Sequence, residues 1–120
     1  MANIVALEEI LDEIKSSGGI TDAILVSRSG MHIAGKAPKG SHSETFVAMS
    51  AIMLGAAETS TSELKDKLKI VTIHLEQSKL AMGVVTQKAI LVIKAGQSDS
   101  DEKLFQVLTG SIPKFQKALQ

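Results

Sequence analysis

Near the start of the chain Ile4, Leu7, Ile10, Leu11 and Ile14 recur at helical spacing, with Glu8, Glu9, Asp12 and Glu13 on the opposite face. Asn3 stands where a helix needs an N-cap, and Gly18-Gly19 where it must stop. Ala23 to Arg28 then reads as a strand, Ser29-Gly30 as a tight turn and Met31 to Lys36 as a second strand, which together predict a hairpin. A loop from Ala37 to His42 contains Pro38 and Gly40. A long helix is expected from Ser43 to Lys65, capped by Ser41 or Ser43, with Glu44 in its first turn. Past Lys69 the period falls to two, which predicts strands at Ile70 to Glu76, Leu80 to Gln87 and Ala89 to Ala95, joined by turns at Gln77-Ser78 and Gln87-Lys88. Asp99, with Glu102 three residues on, resembles a capping box opening a last helix that carries Leu104, Phe105, Leu108, Ile112, Phe115 and Leu119. Pro113 cannot donate to that helix, so a kink or break is expected near Gly110.

The strands fall into two kinds. Ile24 to Val26, Val84-Val85 and Ile90 to Ile93 are apolar on successive residues, as strands covered on both faces are. Val71, Ile73 and Leu75 alternate with Thr72, His74 and Glu76, which places that strand at an edge, open to strand addition by a partner. The order α-β-β-α-β-β-β-α implies an α+β fold, a five-stranded antiparallel sheet with helices on both faces.

The long helix is apolar around more of its circumference than one core requires. Phe46, Met49, Met53, Ala56, Ala57 and Leu64 gather on one side, which is read as the core face. Ala48, Ala51 and Gly55 line nearly the opposite side, beside Val47 and Leu54, and a second copy of the same helix is the readiest cover for them. Gly55 costs about 1 kcal/mol against Ala inside a helix, which points to a close approach there, either by that second helix or by the chain's own sheet. The expected homodimer interface is therefore Val47, Ala48, Ala51, Leu54, Gly55, Val71, Ile73 and Leu75.

Composition narrows the function. A chain of 120 residues with 44% hydrophobic and 22% charged residues suits one compact soluble domain spanning the whole length, 1–120. Thirteen cationic against thirteen anionic residues, a lone arginine and no Tyr or Trp argue against nucleic acid and against a membrane surface as partners. The absence of cysteine excludes disulfides, thiolate catalysis and Cys-type zinc sites, and fits a cytoplasmic protein. Met1 to Ile10, with Glu8 and Glu9, does not read as an export signal. Phe46 to Ala57, the longest largely apolar run, is about half of the ~20 residues a membrane span needs.

Candidate chemistry is sparse. Gly30 to Ala37 spells most of a phosphate-binding loop, but Ala37 lacks the hydroxyl that would hold Mg²⁺ and Pro38 stands where a helix should open, so a hairpin is the better reading and no nucleotide or other cofactor is expected. His32, His42 and His74 match no metal-ligand spacing, and no Gly-x-Ser-x-Gly elbow accompanies Ser27, Ser29, Ser41 or Ser43; neither a metal site nor a catalytic site is expected. Arg28 admits two readings, an arginine finger acting on a GTPase in trans or a solvated residue at the end of a hairpin strand, and the second is favoured.

The order of elements, the segment Ile20-Thr-Asp-Ala-Ile-Leu-Val-Ser-Arg-Ser-Gly30, and the long small-residue helix closing on Gly55-Ala-Ala-Glu-Thr-Ser60 resemble the Roadblock family of dynein light chain and GTPase-regulator domains, particularly its stand-alone prokaryotic members. The resemblance covers almost the whole chain and rests on soft patterns of apolar and small residues. It implies a dimer in which long second helices pair across a two-fold axis and third strands join two sheets. It also implies a scaffold or regulator of Ras-like small GTPases with no active site of its own. The expected partner surface is at the ends of the paired helices, near Glu44 and Glu58. A structural adaptor light chain holding a non-GTPase partner is the competing reading, and a ligand-sensing domain a third, for which few buried polar residues are evident.

Overall fold

A computed structural model describes residues 3–120. Met1 and Ala2, which begin both the expected domain and the stretch read against an export signal, lie outside the described residues. Helix α1 spans Ile4–Lys15; Asn3 caps it by accepting from the Ala6 N–H at 3.2 Å, and Leu7, Leu11 and Ile14 form its buried stripe. Strands β1 (Ile20–Ser27) and β2 (His32–Gly35) form the hairpin, helix α2 spans Ser43–Thr61, and a 3₁₀ turn follows at Ser62–Leu64. Strands β3 (Val71–His74), β4 (Ser78–Thr86) and β5 (Ala89–Gly96) precede helix α3 (Asp101–Ala118).

The five strands form one antiparallel sheet in the order β2-β1-β5-β4-β3. The alternating strand β3 is an edge, as its pattern predicts, and β2 is the other. Successive residues of the central strands divide between two cores. Ala23, Leu25, Leu91 and Ile93 face α1 and α3, while Ile24, Val26, Ile90 and Val92 face α2. Because both faces are covered, the central strands need apolar residues at consecutive positions. Each fully buried Leu or Ile contributes about 1.5–3 kcal/mol of transfer free energy, so the sheet is held from both sides by burial.

Two helix caps, one helix end and one expected break differ from the sequence expectations: α2 stops as an α-helix at Thr61, with a 3₁₀ turn in place of the last residues expected up to Lys65. His42, not Ser41 or Ser43, caps α2: its Nδ1 accepts from the Thr45 N–H at 3.3 Å, whereas the Ser41 hydroxyl donates to the Pro38 carbonyl. Ser100, not Asp99, caps α3, accepting from the Lys103 N–H at 3.0 Å; Asp99 pairs instead with the Lys103 ammonium at 2.9 Å. Helix α3 runs through Pro113 without a break. Pro113 is exposed, while Leu108 and Phe115 on either side of it are fully buried, so the core holds both halves in line against the roughly 3 kcal/mol an interior proline costs.

Candidate functional site

The apolar residues of α2 are spread almost evenly around the helix, and the sheet selects one arc of them. Val47, Ser50, Ala51 and Leu54 are buried, with Phe46 packed beside them over β1, β4 and β5. Met49, Ile52 and Met53 are 48%, 58% and 37% exposed, and Ala56 is exposed beside them. This reverses the sequence assignment of the two faces. Met49, Met53, Ala56 and Leu64 are not core residues, and Val47, Ala51 and Leu54 have their side chains spent in the chain's own core and cannot supply an outward interface. Ser50 misleads the pattern. It is the polar residue of this stretch, yet its hydroxyl donates to the Phe46 carbonyl at 2.7 Å, which satisfies it locally and lets it be fully buried.

Ala48 and Gly55 flank the outer arc, both half-buried. A Cβ on Gly55 would meet nothing within 4 Å, so no part of the chain's own sheet approaches it. Gly30, at φ 91° in the hairpin turn, would place a Cβ 3.4 Å from the Cα of Ala48; the turn is thus seated on the flank of α2 and carries Met31, 69% exposed, beside it. Arg28 forms an ion pair with Glu58, tying the same turn to the far end of the helix. That pair anchors both side chains: Arg28, with one guanidinium nitrogen engaged, does not project as a finger, and Glu58, expected on the partner surface, is half-buried and engaged. Glu44, the other expected partner residue, is exposed in the first turn of α2.

Val71 and Ile73 of β3 pack against the core beneath α2, so these side chains lie on the sheet face that the helix covers. β3 pairs with β4 and has no strand on its other side among the described residues. Leu75, just beyond β3, is 47% exposed. At this end His74 and Lys79 reach Asp101 at the start of α3, at 3.1 and 3.0 Å. The hydrogen bond from Lys79, and then those and the charge of His74, hold the Asp101 carboxyl below its ordinary value.

The segment that mimics a phosphate loop is the hairpin turn and β2, and no helix opens directly after Lys36, α2 starting only at Ser43. Gly35 ends that strand at φ 84°, donates its N–H to Glu8 at 2.9 Å, and has the His32 Nε2 against its carbonyl at 2.6 Å. Among the described residues no three His, Asp or Glu side chains are grouped to hold a metal ion, and no helix is long and apolar enough to cross a membrane.

The family model of the Roadblock/LC7 domain matches residues 6–95. The chain belongs to the Roadblock/LC7 family. Its fold is similar to that of the gliding protein MglB from Thermus thermophilus, with a TM-score of 0.85 at 19% identity over 97% of this chain and 90% of that one. A Roadblock/LC7 domain from Streptomyces avermitilis superposes with a TM-score of 0.81 at 12% identity over 92% and 94% of the two chains. An MglB in a tetrameric arrangement gives 0.77 at 22% identity over 96% and 90%. Comparison with curated protein sequences finds no match. At these identities the solved structures establish the shared Roadblock scaffold, and the site must be argued from this chain's own residues.

Proposed function

We propose that this Roadblock domain is a homodimeric, non-catalytic interaction module of the cytoplasm that binds a Ras-like small GTPase and scaffolds it or modulates its nucleotide cycle. The observation that carries the reading is the outer face of α2, where Met49, Ile52, Met53 and Ala56 form an apolar arc, in a molecule whose β3 is an open sheet edge among the described residues. Such a patch is costly to leave in water and marks an interaction surface. Self-association would bury the arc, with Ala48 and Gly55 admitting a second helix closely, and would pair β3 with its copy. A tetrameric arrangement of a similar protein, MglB, supports self-assembly of this scaffold. Family membership supports the GTPase as partner, and Glu44, exposed in the first turn of α2, is accessible to one.

A structural adaptor light chain is the second reading, favoured by the open β3 edge, which could accept a strand of a non-GTPase partner. Affinity capture by the tagged protein from lysate of its own organism, with a GTP analogue, with GDP and with nucleotide removed, separates the two. A small GTPase retained according to nucleotide state is the expected result. Recovery of another protein regardless of nucleotide would replace the regulator with the adaptor.

A further inference from the structure

Away from the α2 face, the end of the sheet where β4 turns into β5 holds a cleft of about 650 Å³, within the range of small-molecule sites. Gly83 shapes it. A Cβ there would lie 2.6 Å from Leu108 and 3.0 Å from the Lys69 carbonyl oxygen, so glycine lets the segment before β3 and the Leu108 side chain of α3 both lie close against this point of β4. The strap so formed brings Lys67 and Lys69 to the same cleft as Arg28. No carboxylate lines it, although the chain carries equal numbers of acidic and basic residues. Glu58, the nearest acid to Arg28, is committed to that guanidinium, and Asp66 accepts from the Lys67 backbone N–H. Among the described residues neither Lys67 nor Lys69 has an ion-pair partner. Hydrogen-bonding groups come from Thr109 and Gln116 of α3, and apolar wall from Leu68, Val84 and Ile112.

We infer that this cleft binds a small phosphorylated organic molecule, its phosphate set among Arg28, Lys67 and Lys69 and its apolar body against Leu68, Val84 and Ile112. Three cations exceed what one carboxylate neutralises, whereas a phosphate monoester carries roughly −1.5 to −2 charges and three acceptor oxygens. The apolar wall gives no advantage to a bare ion. Sequence patterning could not reveal the cleft, because its cations come from two segments far apart in the chain and its polar groups from the rim of a helix whose inner face is core. The inference does not depend on self-association or on a GTPase.

Titration with phenyl phosphate, followed by backbone amide NMR, tests it, with inorganic phosphate and benzoate as parallel probes. Saturable shifts centred on Thr86, Gln87 and Thr109 are expected for phenyl phosphate, weaker ones for inorganic phosphate and none for benzoate. The Lys67→Gln/Lys69→Gln double variant, with both changes at exposed positions, should weaken binding about tenfold, since partly screened charge-assisted contacts are lost. Gln116→Glu, which places a carboxylate on the exposed rim, should weaken it independently. Shifts that never saturate, that centre elsewhere, or that survive both variants would overturn the assignment. Equal binding of benzoate would overturn the choice of phosphate, and equal binding of inorganic phosphate the role of the apolar wall.

Discussion

Gly35 carries two constraints at one position. Its φ of 84° lies where side chains are strained, and a Cβ would stand 2.6 Å from the carbonyl oxygen of Ala23, a backbone atom of the neighbouring strand that cannot step aside. Gly35→Ala should therefore lower the free energy of unfolding by about 2–4 kcal/mol, the strain and overpacking adding. Urea denaturation checks this, and a loss under about 1 kcal/mol would mean the hairpin yields more readily than its packing suggests. The sequence marks Gly35 as a strand end but not as obligatory, because the clash is with Ala23, a residue distant in the chain. Ser50 shows the same limit from the other direction. Its polarity argues for solvent, and only the hydroxyl's bond to Phe46 one helical turn back explains why it is buried.

At the scale of elements, the existence, order and type of all three helices and five strands were legible, since periods of 3.6 and 2 alternate cleanly along the chain. The orientation of α2 was not legible, because a helix apolar all round has no preferred face until a sheet is laid against it. The two faces make opposite predictions. Leu54→Ala, on the buried side, should cost about 2–5 kcal/mol of stability through the cavity it leaves. Ile52→Asp, on the outer side, should leave the monomer's thermal unfolding and circular dichroism nearly unchanged while abolishing self-association; a collapse of the fold would return Ile52 to the core. A third element-level contact joins β3 and β4 to the start of α3 through Asp101. Lys79 and His74 depress its carboxyl below 3.8, so as the pH falls the unfolded chain takes up the proton first. The contribution of Asp101 to stability is thus present above that value and is lost as the pH falls through the lower folded one. Wild type should converge on Asp101→Asn in stability as the pH is lowered through the acid range below the ordinary carboxylate value, measured by denaturation at each pH. Parallel curves would show that the contact does nothing for the fold.

For the whole molecule, the expected self-association is apolar in origin and the chain has no net charge, so salt should separate the two proposed surfaces. Raising ionic strength from about 0.1 M to 1 M shortens the Debye length from roughly 10 Å to 3 Å. That should weaken occupancy of the Arg28, Lys67 and Lys69 cleft while leaving contact between α2 faces intact. Gly55→Leu adds the discriminating change. Space around Gly55 is open within the monomer, and leucine is the better helix former by several tenths of a kcal/mol, so the isolated chain should be as stable or more so. Between two paired helices the same side chain would hold the backbones apart. Light scattering at low protein concentration should therefore show wild type at twice the chain mass at both salt levels and Gly55→Leu at the chain mass. An unchanged dimer in the variant would place the contact off Gly55, and a wild-type dimer that salt dissociates would require charged groups in the interface in place of the apolar arc.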